Sequence, residues 1–399
     1  MILFVLFALL IHGGSLLLSA RAGGIRLEAL SVYFDGHLYL EIARSFPLPY
    51  SAQGIAYTGL APGFPALIYA IHLLGLGVLS WGAASLLATW LSSGFAAGAF
   101  YTLCRELRID PLWPGVLFVV ANARWLSITG AAHPEGLAMG CALLAFAWVR
   151  RGRLDLAVLF LTLAGLTRFP AFLLGVPLAY EALVQQRRLD VKSLALLTTP
   201  VLAFGLFVLY LHARIPDYPG IAAAHEVFWQ TGPYWPFLEL YRAATAPEMW
   251  AQTYPHRGLT FAWLGIYLAA LVIGLRPAAR DARFLSVWIT VVVLFHVSLR
   301  GLPGAWDFER LAILAWPAAL LILWPALLVR IPVPALATAA ALLLAFNLWV
   351  QARRAEGVVP WQLQIYPFLR ERAVRLDDDE PRWFDFAAPA RAARPALSR

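Results

Sequence analysis

The sequence predicts an all-α polytopic membrane protein, and three observations carry that prediction. Hydrophobic residues make up 61% of the 399 positions and charged residues 14%, far from the roughly 45–50% apolar and about 25% charged of soluble domains. The apolar residues gather in blocks close to the roughly 20 residues that a bilayer-crossing helix needs. Charge sits mainly in the seams between blocks, and every basic residue but Lys192 is an arginine. The 31 basic and 23 acidic residues leave a net charge of +8. Arginines scattered between apolar blocks read as topology signals, not as a groove for nucleic acid. Cys104 and Cys141 fall in or beside apolar blocks without metal-ligand spacing, so neither a disulfide framework nor a thiol mechanism is indicated.

The first block, Met1 to Ala20, carries no charge, lacks the basic start of a secretory signal and reaches Arg21 without a cleavage site. It is read as a retained first span. A mixed stretch follows to about Ser80, with one apolar run, Phe64 to Leu79, that is short for a span and suits an interfacial or re-entrant helix. Further blocks lie at about Trp81–Leu103, Pro111–Thr129, Gly136–Val149, Leu154–Thr167, Phe169–Val184, Ser193–His212, Leu259–Leu275, Phe284–Leu299, Leu311–Val329 and Pro332–Val350. With Phe64–Leu79 not crossing, the expectation is about 11 transmembrane helices.

Loop charge orients them, because arginine and lysine concentrate on the cytoplasmic side. With the N-terminus inside, the inner connections collect Arg105, Arg108, Arg150, Arg151, Arg153, Arg187, Arg188, Lys192, Arg276, Arg280, Arg283 and Arg330. The outer face then receives the loops 21–80, with juxtamembrane helices, and 213–258. Residues 1–350 form one transmembrane domain, and 351–399 a polar, extracytoplasmic C-terminal tail.

Chemistry-bearing residues collect on that outer face. Tyr33 to Ser45 (YFDGHLYLEIARS) brings Asp35, His37, Tyr39 and Glu41 directly after the first span, where carboxylates are costly unless solvated, capped or at work. On a helix starting near Gly36, Asp35 is the N-cap. It can also serve as a positioned base, and the two roles are compatible. Glu41 sits on another helix face and reads as solvated; His37 fits a surface residue, a ligand or a sugar contact. In Ala132 to Leu137 (AHPEGL), Glu135 follows Pro134 at a helix start, a place that suits either a dipole-stabilising acid or a partner for Asp35. Two acids and two histidines there could hold a divalent cation such as Mg or Mn, although the spacing is no known metal signature. Arg168, in Thr167–Pro170 (TRFP), interrupts apolar sequence at the outer tip of a hairpin and needs an anion, either a lipid headgroup or a substrate phosphate. Arg300 to Arg310 (RGLPGAWDFER) adds two more arginines and two acids at an outer span start.

In these segments the chain resembles the fold type C membrane glycosyltransferases, in particular the GPI mannosyltransferase II-like family and its bacterial relatives. The likeness rests on DGHLYLEIA (Asp35–Ala43) followed by APGFP (Ala61–Pro65), on RRGR (Arg150–Arg153) with LTRFP (Leu166–Pro170), and on RLAILAWP (Arg310–Pro317). Leu311 stands where that family usually has tyrosine, and Glu135 lies in a His-Pro context instead of a serine-rich one. The resemblance implies an integral enzyme of the bacterial inner membrane with its active site on the extracytoplasmic face. It would transfer a hexose such as mannose, with inversion, from a polyprenyl-phosphate donor to an envelope lipid, glycan or protein acceptor. Asp35 would be the general base, and His37, Tyr39, His133, Glu135, Arg168, Arg300 and Arg310 would bind substrate. The rival from another class is a secondary transporter or lipid flippase, which usually shows related halves and broken midplane helices; no half-to-half similarity is visible.

Overall fold

The computed structural model describes residues 1–32, 35–46, 60–76, 78–128, 131–185, 191–215, 218, 220–229, 232–245, 257–276, 283–299 and 308–365. Among these residues the chain is helical, with one isolated bridge between Pro233 and Leu299 and no strand. The helices run as α1 (Ile2–Ala22), α2 (Gly36–Ser45), α3 (Gly63–Leu74), α4 (Trp81–Glu106), α5 (Leu112–Val120), α6 (Ala123–Ile128), α7 (Glu135–Arg150), α8 (Leu154–Thr167) and α9 (Gly175–Tyr180). They continue as α10 (Val191–Arg214), α11 (Ile221–Trp229), α12 (Leu238–Thr245), α13 (Arg257–Gly274), α14 (Arg283–Val297), α15 (Phe308–Leu311), α16 (Trp316–Ala326) and α17 (Val333–Ile365). The protein is an all-α integral membrane protein. Among the described residues, 4 helices are long and apolar enough to cross a bilayer: Ile2–Ala22, Trp81–Glu106, Val191–Arg214 and Val333–Ala352. The other expected spans are shorter apolar helices such as Leu154–Thr167 and Arg283–Val297, so length alone accounts for only part of the expected set.

Three departures from the expected blocks have local causes. The run 64–79 shortens to α3, whose 12 residues reach only about 18 Å along the helix axis, well under a hydrocarbon core. The block 111–129 is not one span. It breaks between α5 and α6, where the Asn122 Oδ1 accepts hydrogen bonds from the backbone N–H groups of Arg124 (2.9 Å) and Trp125 (3.2 Å) and so starts a new helix inside apolar sequence. Finally, α17 continues past Val350 to Ile365, and Gln351 Nε2 donates to Ser19 Oγ at 2.7 Å. The segment read as a polar tail thus begins as helix docked on α1; residues 366–399 lie outside the described set.

The core is a tight pairing of α4 with α7, and small residues make it possible. A Cβ on Gly136 would lie 3.1–3.2 Å from the Ser92 and Ser93 backbone and the Ser92 side chain, and one on Gly140 would strike the Phe95 ring. This G-x-x-x-G spacing lets two membrane helices approach backbone to backbone. Trp90 Nε1, on α4, donates to Leu9 O of α1 at 2.8 Å, and Asn347 Nδ2, on α17, donates to Val120 O at the end of α5 at 2.6 Å.

Ion pairs fix which helix ends share a side. Arg151 beside the end of α7 pairs with Glu106 at the end of α4 at 2.7 Å, and Arg150 pairs with the buried Glu181 beyond α9. At the other end, Ser80 caps α4 by accepting from Ala83 N–H at 3.1 Å and itself donates to Glu28, just past α1, at 3.2 Å. There α8 stops at Thr167. Pro170 has no N–H to donate and its ring would collide with the carbonyl four residues back, at Leu166. The chain turns through an extended Arg168 (φ −153°, ψ 118°) into a 3-10 helix, Phe169–Leu174. Gly63, at the start of α3, lies so close to this turn that a Cβ would sit 2.6 Å from Thr167 Oγ1 and 3.0 Å from Leu166 O. The APGFP and LTRFP motifs therefore meet in space.

Gly63→Ala should accordingly cost about 1–3 kcal/mol, the usual penalty of forcing a methyl into closed packing. Thermal melting in detergent should show a clear drop, and a parental midpoint would contradict the close approach.

Candidate functional site

Four chain segments converge at the end of the bundle away from the Arg151–Glu106 pair. Asp35 arrives on the turn before α2, His133 and Glu135 at the start of α7, Arg168 on the turn after α8, and Arg310 on α15, which leads through a 3-10 turn, Ala312–Ala315, into α16. Each placement follows from local sequence. Pro134 precedes α7 and puts the Glu135 carboxylate at the positive end of that helix. Phe308, fully buried against Tyr267 with ring centroids 6.4 Å apart, anchors α15 two residues before Arg310.

Arg310 is the centre. Its Nη2 donates to Asp35 Oδ2 at 2.7 Å, its Nε donates to Glu135 Oε1 at 2.9 Å, and Nη2 also lies 3.3 Å from His133 Nδ1. Glu135 Oε1 is in addition 2.7 Å from Arg168 Nη1. One carboxylate oxygen thus ties two guanidiniums together, and one guanidinium ties two carboxylates together. The cluster has a buried floor and an open edge: the Glu135 side chain is 1% exposed and that of Arg168 8%, while Arg310 reaches 13% and Asp35 25%.

Asp35 is the N-cap residue of α2 by position, as expected, but its side chain makes no cap hydrogen bond. The carboxylate is turned instead to Arg310. Burial by itself would raise the Asp35 carboxyl; the Arg310 charge, then those of His133 and His37, outweigh it and hold the group below the ordinary carboxylate range. Burial, reinforced by Arg310, pushes His133 down to about 4 against the opposing pull of Glu135 and Asp35. Tyr39 is buried one helical turn along α2, edge-on to Phe64 at 5.5 Å. Burial, together with the Asp35 and Glu135 charges, raises its phenol and keeps it a neutral hydrogen-bond donor.

The expected residues Asp35, His37, Tyr39, His133, Glu135, Arg168 and Arg310 are therefore within electrostatic reach of one another. Arg300 lies outside the described residues. Glu41, read as solvated, is instead half-buried at 18% exposure, 3.9 Å from Arg44 on its own helix. Two residues were not expected. Arg124, 6% exposed on α6, acts on His133, and the fully buried His296 near the end of α14 feels the Arg168 charge. A charge inside an apolar block was the available signal for Arg124. Its meaning was hidden because the block read as one continuous span. Among the described residues no group of three or more His, Cys, Asp or Glu is placed to hold a metal ion. Of the two acids and two histidines that the sequence offers to a cation, Asp35, Glu135 and His133 lie against the Arg310 guanidinium.

Comparison with solved structures shows the same fold elsewhere. The chain superposes on ArnT from Cupriavidus metallidurans bound to undecaprenyl phosphate with a TM-score of 0.50 and 18% identity, over 94% of this chain and 72% of that one. A match to the Archaeoglobus fulgidus oligosaccharyltransferase, tethered with an acceptor peptide, has a TM-score of 0.48 and 12% identity. It covers 88% of this chain, which spans only 55% of that one. No protein-family model and no curated protein matches the sequence. The fold is that of the type C membrane glycosyltransferases.

The His133 environment has a measurable consequence. In the unfolded chain His133 titrates near 6.5 and in the folded chain near about 4, so between those values the unfolded state binds the extra proton and stability falls as pH is lowered. His133→Gln, which keeps an acceptor toward Arg310, should flatten the melting midpoint across that window, leaving the Asp35 contribution to fade at lower pH. An equally steep acid loss in the variant would place the effect elsewhere.

Proposed function

We propose that this protein is a membrane-embedded, inverting hexosyltransferase that takes a sugar such as mannose from a polyprenyl-phosphate donor. The acceptor would be an envelope lipid, glycan or protein. The observation that supports this most is the Arg310 guanidinium at a half-open bundle end, held between Asp35 and Glu135 and backed by Arg168. A base and a cation for an anionic leaving group are there within one hydrogen bond of each other. The fold shared with the undecaprenyl phosphate-bound ArnT is compatible with such a donor. Arg105, Arg108, Arg150, Arg151 and Arg153 gather at the opposite end, and the concentration of positive charge on the cytoplasmic side supports an extracytoplasmic site in a bacterial inner membrane.

In this reading the polyprenyl tail lies among the apolar helices and the phosphate approaches the exposed edge of Arg310. Asp35 accepts the proton of an acceptor hydroxyl. The hydroxyl oxygen forms a bond to the anomeric carbon from the side opposite the phosphate, and the bond between that carbon and the phosphate oxygen breaks with its electron pair leaving on the phosphate. Attack from the opposite side inverts the carbon. Fixed guanidinium charge in a water-poor site supplies much of the barrier lowering, because the negative charge grows on the leaving group as the bond breaks. In this reading Tyr39 and His37 bind the sugar or acceptor, His133 keeps Arg310 oriented, and Arg300 is assigned to substrate binding on sequence grounds alone.

Proteoliposomes supplied with radiolabelled polyprenyl-phosphate hexose test this directly. Label should move to an acceptor, and Asp35→Asn should lower transfer by about 10²–10⁴-fold, the range of general base catalysis, in protein that still folds. Label that only crosses the bilayer would support a flippase, and near-normal turnover by the variant would remove Asp35 as the base.

A further inference from the structure

We infer that Arg310 is shared in turn by the base and the leaving group: the guanidinium N–H that holds Asp35 in the resting protein passes to the donor phosphate as a proton passes to Asp35. This rests on the glycosyl-transfer reading above and assigns Arg310 a catalytic role beyond substrate binding.

The geometry that carries it is the division of labour across one guanidinium. The Nε edge is fixed to Glu135, which is 1% exposed, reached also by Arg168, and set at the N-terminus of α7. The Nη2 edge faces Asp35, the most exposed member of the cluster at 25%. An arginine carries five N–H donors in a rigid plane, so the group can release Asp35 without leaving its anchor. A lipid phosphate entering from the open side meets the Nη2 edge first. The alternative hold, on Glu135, is out of its reach.

Charge then moves in step. While Arg310 holds it, the Asp35 carboxylate is a weak base, because an adjacent cation favours its charged form. When phosphate oxygens draw the Nη2 N–H away, Asp35 gains basicity just where the acceptor hydroxyl is to be deprotonated. As the transfer proceeds, Asp35 takes the hydroxyl proton and loses one unit of negative charge, and the phosphate takes the bond pair and gains one. The total is unchanged, and the cation has followed the charge. The groups that face Asp35 are Arg310, His133, His37, Tyr39, Glu135 and Arg168. Arg310 donates directly to it, Nη2 to Oδ2 at 2.7 Å.

The test needs no turnover. Undecaprenyl phosphate is titrated calorimetrically into the full chain in nanodiscs at about pH 6, in buffers of different ionisation enthalpy, to count protons taken up on binding. The parent should take up more protons than Asp35→Asn. Arg310→Lys, which keeps the charge but loses the fork, should bind roughly tenfold or more weakly, the loss of one charge-assisted hydrogen bond. Equal uptake in parent and Asp35→Asn, or unchanged binding by Arg310→Lys, would overturn the shared-cation role while leaving the donor class intact. Absence of any binding would overturn the donor class as well. Should Asp35→Asn fail to fold, the parent's own rate profiles decide: the acid limb of kcat should lie at higher pH than that of kcat/KM, and coincident limbs would contradict the inference.

Discussion

The ion-pair chain Asp35–Arg310–Glu135–Arg168 is the constraint on which the outer end of this molecule depends. Charges this deep beside a bilayer are tolerated only when paired, and removing one partner of a buried pair typically costs about 3–5 kcal/mol. Here each of the two central groups has two partners. The pairing therefore does more than neutralise. It requires the turn before α2, the start of α7, the turn after α8 and the approach to α16 to end at one point, and so it fixes the relative height of four parts of the bundle.

The surrounding backbone is arranged to deliver these groups. Pro170 stops α8 so that Arg168 lies at a turn and not along a helix face. Pro134 and the helix that follows hold Glu135 where the helix field favours a carboxylate. The close approach of Gly136 and Gly140 to α4 seats that helix start against Ser92 and Ser93. Packing and chemistry are thus coupled through a few small residues and prolines. Rigid support of this kind holds the charged groups together, with Asp35 and Arg310 on the more exposed side of the cluster.

Much of the fold was legible because its signals are local. Apolar block length, proline breaks and arginine-rich seams each depend on neighbouring residues, and they located α1, α4, α7, α8 and α10 closely. The break at Asn122 was missed because a single capping amide in an apolar block carries little weight in any hydropathy window, though it moves Arg124 into the charge cluster. The site was legible as a set of candidates and not as a geometry. Asp35 and Arg310 are 275 residues apart and Glu135 and Arg310 are 175 apart, and no local pattern states which charges will meet. Sequence accordingly suggested a helix cap for Asp35, whose side chain makes no cap hydrogen bond and pairs with Arg310.

An experimental structure with undecaprenyl phosphate bound tests the central claim most directly. The account predicts a phosphate oxygen within hydrogen-bond distance of Arg310, with the Arg310–Glu135 contact kept and the Arg310–Asp35 contact lengthened beyond its resting 2.7 Å. A phosphate bound away from Arg310, with the Asp35 pair intact, would contradict it.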